Sequence, residues 1–291
     1  MKNKVFIIAL ALFTIQSCEF DKSINTDLLT GISTKGDGLS CENVYLSIGD
    51  QETNSTTYVY GETFYVNFND INGFTKVGES VFPGLGLFVL SAEGDTVMQE
   101  HDLYADSTKG FALSPLLLST NITVATPMLS NKKYSLYINI WDKKGKGTFT
   151  AKMDFNIVPN EHIKIESSNV KYDNIYLFSE KNNTTITDNK VTMGDNNFLI
   201  FEGLTGFKDE NGKANFGLSI KATDATGTII VNEADLIGEA GMDIAELNKQ
   251  IAPNIIFSGS EIKNPISLEI VIWDKASEAK IKASSNLELS N

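Results

Sequence analysis

Two stretches of this chain nearly coincide: SLYINIWDKKGKG at 135–147 and SLEIVIWDKASEA at 267–279, identical at seven of their first nine positions and together holding both tryptophans. The correspondence extends well beyond them. At an offset of 133, Gly61, Phe68, Gly73, Gly84, Gly94 and Asp102 meet Gly194, Phe201, Gly206, Gly217, Gly227 and Asp235, among eleven identities. Ser135 to Ala151 align with Ser267 to Ala283 at 132, and ENVYL from Glu42 meets DNIYL from Asp173 at 131. Offsets that drift by single residues in unchanged order are the signature of a duplication. A copy of about 120 residues is far longer than a solenoid repeat, so each copy is expected to be a complete domain with its own core.

Within each copy the hydrophobic period is two. Leu136, Ile138 and Ile140 alternate with Tyr137 and Asn139, and Phe149, Ala151, Met153, Phe155 and Ile157 alternate with Thr150, Lys152, Asp154 and Asn156. That pattern predicts a hairpin turning at Asp142–Gly147, repeated by Leu268, Ile270 and Ile272 with Ile281, Ala283, Ser285, Leu287 and Leu289. Further strands are expected at 44–48, 63–68, 86–90 and 121–125, with counterparts at 175–178, 198–201, 218–221 and 254–257. About seven short strands per copy, broken by Gly, Asn and Asp, indicate an all-β chain of two tandem antiparallel β-sandwiches of immunoglobulin-like type. GMDIAELNKQI from Gly241 interrupts the rhythm, with Asp243 as N-cap of a short helix. GFALSPLLLS, its place in the first copy, looks looser, and FKDENGKANFG from Phe207 carries an Asn-Gly hairpin signal.

The amino end, MKNKVFIIALALFTIQSC, sets two lysines before an apolar run from Val5 to Ile15 and a cysteine at 18. The run is too short to span about 30 Å of hydrocarbon as a helix, so it is expected to be a signal peptide, residues 1–17. The cysteine at its end resembles a bacterial lipobox, which implies lipidation of Cys18; an ordinary secretory signal with an incidental cysteine is the alternative. Residues 18–40 are polar, without a sustained period, and are expected to form the lipidated Cys and a flexible tether reaching roughly 25 Å. The domains are then expected at 41–158 and 159–291. Cys41 is left without a partner for a disulfide and is expected to be a small buried residue.

All 24 basic residues are lysine, and removing 1–17 leaves 22 of them against 37 acids, a net charge of −15. That balance repels a phosphate backbone, and no arginine is there to read guanine bidentately, so nucleic acid is excluded as a partner.

By strand parity Trp141 and Trp273 fall off the core face; either can stack on a sugar ring or be covered by neighbouring structure. Tyr58 and Tyr60 are further stacking candidates. Asp142 and Asp274, directly after the tryptophans, are expected to accept hydrogen bonds from turn amides. Glu100 with Asp102, and Glu233 with Asp235, stand two apart and on a strand would share a face, which could hold Ca2+; a solvated acidic edge is the bland alternative, and no other cofactor is expected. Catalytic signals are thin. His101 and His162 are the only histidines and match no repeat position, while S-x-x-K at Ser130, Ser168 and Ser277 has no accompanying motif. No enzyme is expected.

The lipobox, Glu19 and Asp21 behind Cys18, the lysine-only basic set and the Y-x-L-x-I-x-I-W-D-K-K-G-K-G type of hairpin together resemble surface lipoproteins of the Bacteroidetes, over about 250 residues of duplicated chain. The resemblance implies an outer-membrane address, with exposure on the cell surface, and carries no active-site residue with it. The expected function is a non-catalytic envelope lipoprotein, held to the membrane by its lipid and presenting its sandwiches to a protein partner. The alternative is a glycan-binding lipoprotein of a polysaccharide-uptake system.

Overall fold

The computed structural model describes residues 22–112, 115–239, 241–259 and 261–290; the expected signal peptide and Cys18 lie outside them. The first copy contributes β1 (Lys22–Thr26), β2 (Ser33–Asp37), β3 (Ser40–Ile48), β4 (Gln51–Thr53), β5 (Thr57–Val59) and β6 (Thr63–Asn72). β7 (Pro83–Ser91), β8 (Thr96–Glu100), β9 (Leu116–Thr123), β10 (Lys132–Asp142) and β11 (Thr148–Val158) complete it. The second copy begins with β12 (Ile163–Ser168), β13 (Asn174–Ser179), β14 (Thr184–Ile186), β15 (Lys190–Thr192), β16 (Asn197–Glu202) and β17 (Lys213–Ala214). There follow β18 (Phe216–Thr223), β19 (Ile229–Glu233), β20 (Met242–Asp243), α1 (Ile244–Lys249), β21 (Gln250–Ile251), β22 (Asn254–Ile255), β23 (Ile266–Asp274) and β24 (Lys280–Ser290).

The chain is all-β, and each copy is an antiparallel sandwich. In the first, β1-β2-β11-β10-β7-β8, with β5 alongside β11, faces β4-β3-β6-β9. In the second, β12-β24-β23-β18-β19, with β15 alongside β24, faces β14-β13-β16 and the short β21 and β22. Apart from β1, which has no counterpart among the described residues of the second copy, the two orders are the same. Even the exception repeats: β5 runs parallel to β11, and β15 parallel to β24. In the hairpins Ile138 lies opposite Ala151, and Ile270 opposite Ala283. Alternation sends the apolar set of each strand inward. Phe64 of β6 meets Phe155 of β11 edge-on at 5.5 Å, and Phe68 meets Phe149 at 6.2 Å, so the two sheets of the first sandwich interlock through aromatic rings. Buried apolar side chains form one cluster drawn from 32–157 and another drawn from 170–287.

Three local expectations change. Residues 22–40 are not a tether: β1 and β2 extend the sheet, with Ala151 opposite Thr34 and Thr34 opposite Asn25. Their polar composition hid this, because only Ile32 and Leu39, 2% and 1% exposed, need reach the core while ladder hydrogen bonds hold the rest. Second, the strand expected at 121–125 starts earlier, at Leu116, and takes in the last four residues of the looser GFALSPLLLS. Third, the strand expected at 254–257 is only Asn254–Ile255, separated from β21 by Pro253, which has no N–H to give a ladder. The helix forms where expected, with the Asp243 carboxylate accepting from the Ala245 N–H at 2.9 Å. Asn211 and Gly212, with φ of 59° and 85°, form the expected tight turn ahead of β17.

Where the copies meet, polar groups from both converge on Glu202. Its Oε2 accepts from the Tyr60 hydroxyl at 2.7 Å, the Asn174 amide at 3.3 Å and the Thr126 hydroxyl at 3.3 Å, while Oε1 accepts from Tyr176 at 3.0 Å. The Ser130 N–H donates to Asn174 at 3.1 Å, and the rings of Tyr60 and Tyr176 lie 5.2 Å apart. Burial, with Glu202 beside it, pushes the Tyr60 phenol up to about 12, so it stays a donor.

Candidate functional site

The two Trp-Asp corners are built alike. Each indole lies across a glycine of the neighbouring strand: a Cβ on Gly84 would fall 2.0 Å from Trp141 Cε2, and one on Gly217 would fall 2.1 Å from Trp273 Cζ2. The half-buried tryptophan thus fills, on the outer face of the sheet, the place of a missing side chain. Below it the aspartate is buried. Asp142 accepts from the N–H groups of Thr75 at 2.7 Å and Lys144 at 2.9 Å; Asp274 accepts from Lys208 at 2.7 Å and Ala276 at 2.9 Å. Burial opposes the charge on each, yet the hydrogen bonds outweigh it, from backbone amides on Asp142 and from the Ser277 hydroxyl and then amides on Asp274, and hold both carboxyls below the usual range.

The paired acids do not share a strand face as expected. β8 ends at Glu100 and β19 at Glu233, so Asp102 and Asp235 lie past the strand ends and no strand face unites the pairs. Each aspartate pairs with a lysine ammonium, Lys143 on Asp102 at 2.7 Å and Lys275 on Asp235 at 2.7 Å. Backbone N–H groups of Leu85 and Tyr104, or of Leu218 and Ile237, complete the knot. Lys275 above all holds the Asp235 carboxyl down, to about 2. Among the described residues no group of three or more His, Cys, Asp or Glu is placed to share a metal ion.

Tyr58 and Tyr60 are not open to a sugar. Tyr58 is fully buried and stacked on Phe64 with centroids 4.0 Å apart, and Tyr60 is sealed into the contact between copies. Parity could not show this, because both precede β6 on a short strand and turn whose inward face the sequence does not mark. Cys41 is half-buried, its thiol donating to the carbonyls of Asn43 and Asn69, and burial pushes it up to about 11. His162 lines a shallow hollow of about 250 Å³ with Ser284, Ser285 and Asn189. Among the described residues its ring makes no hydrogen bond to those hydroxyls.

The outer face of the first sandwich carries a row that outward parity alone did not single out. Gln99, Phe88, Tyr137 and Lys152 stand side by side on β8, β7, β10 and β11. Phe88 and Tyr137 are stacked at 4.7 Å and 8°, and the Lys152 ammonium lies 5.0 Å from the centre of the Tyr137 ring. Trp141 and the exposed Asn139 share the face. In the second copy the same positions carry Asn232, Lys221, Glu269 and Ser284 side by side, with charges in place of the two rings. The internal repeat held the signal: the outward positions at which the two copies disagree in chemistry.

On that second face Trp273, Ser219, Ser277, Glu278 and Lys280 line an open hollow of about 510 Å³. An aromatic surface ringed by hydroxyls, the acids Asp274 and Glu278 and one lysine suits a small polar ring.

No family model matches the chain, and no curated protein matches it. Among solved structures it is similar to pT26-6p, at 7% identity and a TM-score of 0.24, over 89% of this chain and 64% of that one. It is similar also to the fibronectin(III)-like modules of Clostridium thermocellum CbhA, at 9% identity and a TM-score of 0.20, over 84% and 94%. A calcium-binding mutant of Bacteroides uniformis beta-glucuronidase 2 matches at 9% identity and a TM-score of 0.22, over 85% of this chain and 32% of that one. The chain thus spans less than two thirds of the first and third of these.

Proposed function

We propose that this chain is a non-catalytic lipoprotein of the cell envelope, of the kind found on the Bacteroidetes outer membrane, whose first sandwich presents its outer face to a protein partner. The row of Phe88, Tyr137 and Lys152 carries the reading. The second copy folds the same way with charges in these places, so the aromatic pair serves no need of the fold. Stacked aromatics capped by a lysine and flanked by an amide are the chemistry of a protein contact, where a few large rings supply most of the energy.

A photo-crosslinking residue placed at Tyr137 in cells should capture one specific envelope protein, and the same residue at Glu269 should not. Equal capture from both, or none from either, would remove the reading. The lipid anchor is tested separately, by the mass of the mature chain: an acylated Cys18 at its amino end is expected.

The hollow at Trp273 favours a second reading, a saccharide ligand. Retardation in a gel containing the polysaccharide, abolished by Trp273→Ala and untouched by Tyr137→Ala, would support it; unchanged mobility in every polysaccharide tried would end it.

A further inference from the structure

Among the described residues the three most exposed large apolar side chains are Leu28 at 93%, Ile24 at 76% and Leu29 at 74%, and the next, Ile229, is at 56%. All three stand on the β1–β2 hairpin. Leu28 and Leu29 occupy its tip, and the tip is built rather than frayed. The Asp27 carboxylate accepts from the Leu29 N–H at 2.9 Å and the Thr30 hydroxyl at 2.6 Å, while the backbone of Asp27 exchanges hydrogen bonds with Gly31 and Ile32 at 2.9 Å each. Ile32, immediately behind, is plugged into the core. Two leucines are thus held out from the sandwich, Leu28 almost wholly in the open and Leu29 mostly so.

Chain length says what they meet. From 22 to 37 the hairpin carries Lys22 and Lys35 against Asp27 and Asp37, so it is neutral in a chain whose total is −13. Only residues 19–21 separate Cys18 from Lys22, so β1 begins within about 14 Å of the cysteine. β1 itself adds about 17 Å, which brings the leucines within reach of any surface that holds Cys18.

We infer that the Leu28–Leu29 tip seats in the interfacial layer of the bilayer to which the acyl chains of Cys18 belong, so that the first sandwich is held at a set tilt. This rests on the lipoprotein reading. A short aliphatic wedge beside a lipid anchor supplies the second attachment that turns marginal membrane binding into a stable one.

The test is a polarity-sensitive dye at Leu28→Cys in a Cys41→Ser background, in the acylated chain reconstituted into phosphatidylethanolamine and phosphatidylglycerol vesicles. Nitroxides on lipid headgroups should quench it, and aqueous iodide should reach it several-fold less than the same dye at Asp50→Cys, on an exposed turn. Leu28→Ser together with Leu29→Ser, scored by vesicle flotation, should weaken retention about tenfold. A dye at 28 as open to iodide as one at 50 would overturn the inference, as would shielding without nitroxide quenching, which would mean that protein covers the tip. A mature chain whose mass shows no acyl group would remove the lipoprotein reading instead, and dye quenching on added vesicles would still decide the tip.

Discussion

At the scale of single residues the duplicated corners show what each copy cannot give up. Gly84 and Gly217 have no room for a methyl group, because the indole of the next strand already lies there. Gly84→Ala must therefore lift Trp141 off the sheet, at a cost of about 1–3 kcal/mol. Urea melts should show the loss, and the emission of Trp141 should move to the red; Gly217→Ala should do the same through Trp273. The carboxylates below answer to acid. Asp102, Asp142, Asp235 and Asp274 are all held below their ordinary value of 3.8. A depressed carboxyl adds stability that is complete above its unfolded value and fades as pH falls through the folded one, here from 3.8 toward about 2 for Asp235. The melting temperature should be nearly level between pH 5 and 8 as far as these four groups are concerned and should fall below about pH 4. Asp235→Asn should flatten that fall, because the amide can no longer be neutralised.

At the scale of elements, legibility followed the period of the pattern. The β10–β11 and β23–β24 hairpins were plain because the inward positions are almost all apolar, five in β11 and four around Ser285 in β24, and the identity of the two copies doubled the signal. β2 was invisible for the opposite reason: STKGD has no apolar alternation, and its place is set by ladder bonds to β11 and by the flanking Ile32 and Leu39. The site was less legible than the fold. Tyr58 and Tyr60 looked like open rings and are sealed, whereas Phe88 and Tyr137, on strands already recognised, became informative only when their outward neighbours were compared between copies. The reassignment of 22–40 can be measured. Amides of Ser33–Asp37 should be protected from hydrogen exchange like those of an inner strand, and proteases should spare this stretch in the native chain. Leu39→Ala should cost about 2–5 kcal/mol, as for any filled core position, where a tether residue would cost nothing.

At the scale of the whole molecule the question is whether two similar sandwiches behave as beads on a string or as one body. Glu202 decides it. Its carboxylate is taken up by Tyr60 and Thr126 from one copy and by Asn174 and Tyr176 from the other, and a Cβ on Gly61 would fall 1.9 Å from Thr185 Oγ1 across the same seam. Hydrogen bonds to a charged, half-buried acceptor are among the stronger ones, and four donors lose this acceptor together when the acid is removed, although Tyr60 and Thr126 still bond each other at 2.9 Å. Glu202→Ala should therefore destabilise the seam by about 2–3 kcal/mol while each core stays intact. In nuclear relaxation the native copies should share one rotational correlation time, whereas in the variant each copy should tumble faster. Two separate correlation times in the native chain would show that the seam does not couple the copies. Coupling of this kind has a functional meaning: a partner bound at Tyr137 and a ligand at Trp273 would then be held at a fixed spacing and angle, set by the seam and not by a linker.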